Sequence, residues 1–120
     1  MANPNIAGLS NIYGKVAGQA IGTSAAAIVT NSSSSGKIYK INSLIISNVD
    51  GTNEADVTAT VYKNQSTEYH LVKTVAVPAD ATLVVISKDT TIYLEENDSI
   101  RLTASAASDL EAVCSWDEIS

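Results

Sequence analysis

Phenylalanine is absent from this chain, and cysteine, histidine and tryptophan occur once each. A lone cysteine excludes an internal disulfide. One cysteine with one histidine also excludes a structural zinc centre of Cys and His ligands. His70 is the only imidazole available to any Ser-His-Asp arrangement, and no Gly-x-Ser-x-Gly elbow is present. Gly36-Lys37 is followed by Ile38 where a phosphate-binding loop carries serine or threonine, so that motif fails as well. Charge is sparse, with 7 basic against 13 acidic residues and a net charge of −6. That balance opposes the phosphate neutralisation that drives nucleic-acid binding. No apolar run approaches the roughly 20 residues of a membrane-spanning helix. The start, Met1-Ala-Asn-Pro-Asn-Ile, has neither a basic region nor an apolar run, so no secretory signal is expected.

What remains is strand signal in a chain of 120 residues, the size of one domain. Residues 1–24 are rich in Ala, Gly, Ser and Asn, with Ile6, Leu9, Ile12, Val16 and Ile21 at irregular spacing. Gly14, Gly18 and Gly22 weaken any helix there. This zone is expected to be an extended N-terminal arm holding one or two short strands, which docks on a neighbouring edge. Residues 25–120 are expected to form a single β-sandwich. Ala55, Val57, Ala59 and Val61 alternate with Asp56, Thr58, Thr60 and Tyr62, which gives one apolar face. Ile100, Leu102 and Ala104 repeat the pattern. Leu110, Ala112, Cys114 and Trp116 do so again, which makes Cys114 a buried small hydrophobe rather than a nucleophile. Residues 37–48, 67–77, 82–87 and 91–95 complete the expected strands. The apolar runs at 72–77 and 83–86 predict strands covered on both faces.

Asp50-Gly51, Asn64-Gln65, Pro78-Ala79-Asp80, Lys88-Asp89 and Asn97-Asp98 supply turn chemistry between the runs. Strands at this spacing with no helix between them predict an all-β chain, an antiparallel β-sandwich of jelly-roll type. Its core would be small aliphatics, thin enough to favour oligomerisation.

Two carboxylate groups are weighed as sites. Asp50, Asn53, Glu54 and Asp56 bring several oxygens into one short loop, as a hard cation such as calcium needs, but without a known calcium spacing. Glu95 and Asp98 could form an acid/base pair, against the simpler reading of a polar turn. His70 reads as a solvated strand residue beside Glu68 and Val72. Asn31, Asn64 and Asn97 each begin an Asn-x-Ser sequence, read only as marking surface loops. The tract 31–36 reads as a flexible connector. Tyr62, Tyr69 and Tyr93 could form an aromatic platform for a sugar. None of these reaches the level of an assigned site. The expectation is no enzyme, no catalytic or metal residue and no cofactor.

Residues 77–89, 92–106 and 109–113, with Ile46-Ser-Asn-Val-Asp-Gly-Thr-Asn53 and the Met-Ala-Asn-Pro-Asn start, resemble a family of small virion proteins. These occur in tailed bacteriophages of marine bacteria and cyanobacteria. The resemblance implies a virion structural protein assembled in the host cytoplasm, with capsid decoration (cement) on the outer shell as its leading role. A tail, baseplate or fibre-associated protein and a carbohydrate-binding module are the alternatives. The implied partners are further copies of the chain, as a trimer, and the major capsid protein or another virion protein. Neither nucleic acid nor membrane is implied.

Overall fold

A computed structural model describes residues 5–8 and 10–120. The described residues form nine strands: β1 Ile12–Ala20, β2 Ala26–Thr30, β3 Ile38–Asn48, β4 Ala55–Lys63, β5 Thr67–Val77, β6 Thr82–Ile86, β7 Ile92–Leu94, β8 Ser99–Ala104 and β9 Leu110–Ile119. Two single turns of 3₁₀ helix, Ile6–Gly8 and Lys88–Thr90, are the other regular elements. Every strand pair is antiparallel. One sheet runs β1-β9-β3-β6, with the short β7 also on β3; the other runs β2-β8-β4-β5. With β7 set aside, the chain crosses between the sheets in the order of a jelly roll, the sandwich the alternation predicts.

The alternating residues meet between the sheets. Ile41, Leu44, Ile46, Leu110, Ala112 and Cys114 of the first sheet face Val57, Ala59, Ile100 and Leu102 of the second, all essentially without exposure. In the absence of phenylalanine, one aromatic contact thickens the core. Tyr39 and Trp116 stack with centroids 6.2 Å apart and planes 20° apart, an offset geometry that adds to their burial.

Two buried asparagines lock the crossings. Asn31 donates through Nδ2 to the carbonyls of Lys37 and Leu94, at 2.9 and 3.0 Å, and its Oδ1 accepts from Ser35. It therefore ties the β2–β3 crossing to the end of β7. At the opposite end Asn48 donates to the carbonyls of Asn53 and Val77, both at 2.9 Å, and accepts from the Asp50 amide. That joins the β3–β4 crossing to the end of β5. The large majority of buried polar side chains are hydrogen-bonded, and both amides are.

Several expectations are corrected here. Asn31 is fully buried, so it does not mark a surface loop, whereas Asn64 and Asn97 sit at turn surfaces. The tract 31–36 is no loose connector. Ser35 N–H donates to the Ser32 carbonyl, Gly36 N–H to Glu96 Oε2 and Lys37 N–H to Ser35 Oγ. The apolar runs at 72–77 and 83–86 are not covered on both faces. They fall in β5 and β6, at sheet edges, and Val84 is 55% exposed. Their outward positions happen to be apolar too, which hides the alternation.

The part of residues 1–24 that the structure describes lies largely in the sandwich. Ile12–Ala20 is one unbroken strand, paired residue for residue with Ile119–Glu111 of β9. Ile21 is 2% exposed in the core. The boundary at 24/25 falls in the connection between β1 and β2. Residues 1–4 and 9, which belong to the same expected arm, lie outside the described residues.

Candidate functional site

The residues weighed for chemistry do not converge. Asp50 accepts from the Thr52 and Asn53 amides at 2.8 and 3.3 Å and from Asn53 Nδ2 at 3.2 Å. The amide of Thr52, then the side chain and amide of Asn53, hold its carboxyl below the usual carboxylate value. Its oxygens serve the turn that Asp50-Gly51 predicts. Across that turn, burial and then the neighbouring Asp50 charge raise the Asp109 carboxyl. Among the described residues, no group of three or more His, Cys, Asp or Glu side chains is gathered as a metal site.

Glu95 and Asp98 do sit together, with Lys63 between them. Asp98, 1% exposed, accepts from Lys63 Nζ at 2.9 Å, the Asn64 amide at 2.8 Å and the Glu95 amide at 3.0 Å. Lys63 also bonds Glu95, and that bond is the main cause holding the ammonium above its ordinary value. The group lines a polar cleft of about 300 Å³ with Asn64, Asn97 and Ser33. Each oxygen of Asp98 is taken up in fastening the β4–β5 turn to the β7–β8 turn, so the carboxylate works as a latch.

His70 stands opposite Thr60 on the outer face of the second sheet. The three tyrosines lie on three surfaces. Tyr62 is on that same outer face, with the Arg101 guanidinium 4.5 Å over its ring. Tyr69 pairs with the inward-facing Val61 at the β5 edge. Tyr93 pairs with Lys40 on the outside of the other sheet. No common platform results. Cys114 is fully buried, and burial pushes its thiol up to about 12.

The surface that does stand out is the outer face of the first sheet and its β1 edge. The register places Val84 beside Ile45, Ile45 beside Val113, and Val113 beside Gly18. This is one cross-strand row on the side away from the core. Val16, the next outward residue of β1, adjoins it. Val84, Val113, Val16, Ile12 and Tyr93 are 55, 46, 69, 68 and 49% exposed. They are five of the nine exposed large hydrophobics among the described residues. Their concentration on one face is unlike the scatter of single apolar residues on an ordinary surface.

The four sheet edges differ. β2 has 5 residues and a register shift against β8. β6 has 5 residues and a register shift, and the 3-residue β7 continues the same side of β3 rather than covering β6. β5 is long but shifts register twice and carries Thr74 at φ 46°. Bulges and short lengths of this kind protect edges from pairing. β1 has 9 residues, no register shift and no positive φ. It is the flat edge. The sequence shows the residues of this surface but not the surface itself, because Val16, Val84 and Val113 are far apart in the chain and adjacent only through sheet order.

No family model matches the chain, and no curated protein matches it. Among solved structures it is similar to a chain from work titled "Bacillus endospore appendages form a novel family of disulfide-linked pili". Identity is 18%, over 92% of this chain and 87% of that chain, with a TM-score of 0.55. The likeness is one of fold, an all-β sandwich.

Proposed function

We propose that this chain is a non-enzymatic structural subunit of a tailed-phage virion. Its role there is that of a capsid decoration (cement) protein, which binds the outer shell and associates with its own copies. The observation that carries the reading is the β1 edge: nine residues of strand with no register shift and no positive φ, with Ile12, Tyr13 and Val16 exposed. Such an edge is a template for another strand, whose backbone bonds supply affinity and whose pockets supply register. Many copies on a lattice multiply weak contacts by avidity. The net charge of −6 keeps the free subunit soluble and opposes its sticking to released DNA.

The sequence resemblance supports the virion setting, and the sandwich likeness to a pilus-related chain supports a structural role. The disulfide linkage in that neighbour's title has no counterpart here, where the one cysteine is buried. Antibody labelling of particles that carry this gene tests the reading. Label over the head lattice is expected. Label confined to the tail moves the subunit to a tail, baseplate or fibre-associated place, and no bound label overturns the virion role.

A further inference from the structure

We infer that two copies of this chain pair β1 against β1, antiparallel about a two-fold axis, with Val16 opposite Val16 of the second copy. The inference rests on the self-association proposed above and names its partner and register. A ring in which β1 met a different edge would need that edge to be open. β2 and β6 are short, and β2, β5 and β6 all shift register. β1 against itself is the flat pairing left.

The register follows from faces and charge. Gly14, Val16, Gly18 and Ala20 point out of the sheet with Asp117, Ser115, Val113 and Glu111, while Lys15, Ala17 and Gln19 share the inner face with Trp116, Cys114 and Ala112. A two-fold axis normal to the sheet keeps these faces matched, because opposed residues in an antiparallel pair point the same way. Centring the axis on Lys15 sets two ammonium groups against each other, which is unfavourable. Centring it on Ala17 leaves Ile12 and Tyr13 opposite residues beyond β1.

Centring it on Val16 pairs the whole of β1. Lys15 then faces Ala17, Tyr13 faces Gln19, Gly14 faces Gly18 and Ile12 faces Ala20. On the outer face Val113 is the diagonal neighbour of Val16, so the Val84, Ile45 and Val113 rows of the two copies approach each other through the central Val16 pair. The two four-strand paths become a single sheet with its flat edges consumed.

Cysteine cross-linking on the full chain tests both partner and register. In the pair, the Val16 Cα atoms lie about 4.5–5.5 Å apart, within the span of a disulfide. Val16→Cys in a glutathione disulfide buffer, which accepts the two electrons and two protons, should give a covalent dimer. It should do so at least about tenfold faster than Ile12→Cys or Val49→Cys, because its thiols meet at an intramolecular effective concentration. Native Cys114 is buried and silent. Light scattering of the wild type should show twice the monomer mass as concentration rises. A dimer in which Val16→Cys links no faster than the controls overturns the register. A trimer, the order the resemblance implies, overturns the two-fold pair. Both of these leave self-association standing, whereas a monomer at every concentration overturns both.

Discussion

Removing the Asp98 carboxylate should cost more than any exposed ion pair on this molecule. Its side chain is 2% exposed and accepts three hydrogen bonds. In Asp98→Ala the amides of Asn64 and Glu95 lose their acceptor at a site too enclosed for full hydration. An orphaned buried donor costs about 1–3 kcal/mol. Lys63 is 42% exposed and keeps Glu95, so it adds little. Two amides at about 1.5 kcal/mol each give a loss of about 3 kcal/mol. For 120 residues, an unfolding entropy of about 2.1 cal/mol/K per residue amounts to about 0.25 kcal/mol/K, so Tm should fall by about 12 °C. Asp98→Asn should lose about half as much, because its remaining oxygen still accepts from one amide while its NH₂ meets the other donor. Differential scanning calorimetry, with urea titration as a second measure, reads both variants. A drop of less than about 3 °C for Asp98→Ala would refute the latch, since it corresponds to under 1 kcal/mol.

Three other outcomes follow from buried or half-buried groups. Cys114, with its thiol raised to about 12 by burial, should react with a thiol reagent at pH 8 only after urea unfolding; prompt labelling of the native protein would contradict its placement in β9. Thr60 is 2% exposed and its hydroxyl has no partner, so Thr60→Val, of nearly the same shape, should be neutral or stabilise by up to about 1 kcal/mol; a clear loss would show that the hydroxyl is bonded. Burial opposes ionisation of Glu118, but hydrogen bonds from Lys37 and Trp116 and the charges of Lys37 and Lys15 outweigh it and lower its carboxyl. A lowered acid stabilises the fold above its unfolded value of 4.5 and loses that contribution as pH falls through the folded value. Urea midpoints between pH 3 and 7 should therefore fall less steeply for Glu118→Gln than for wild type, and parallel curves would sink the assignment.

The alternation at Val57–Ala59–Val61, Ile100–Leu102 and Leu110–Trp116 was enough to place three central strands and the inward Cys114, because a strand with one wet face writes its period into the chain. Edge strands write less. β5 and β6 carry apolar residues on both faces, and that pattern is the one a fully covered strand would give. Val84 is exposed because β6 is an edge, a fact of sheet order that no local window contains. β2, the short Ala26–Thr30, begins within a run of alanines and has no period of its own; its pairing with β8 defines it. Asn31 shows the same limit for polar residues. An asparagine before serines reads as a surface turn, yet Asn31 is a buried clamp whose partner Leu94 lies in a distant strand. β1 is the sharpest case. Its glycines and scattered apolar residues match neither helix nor buried strand, and among the described residues nothing pairs with its outer edge.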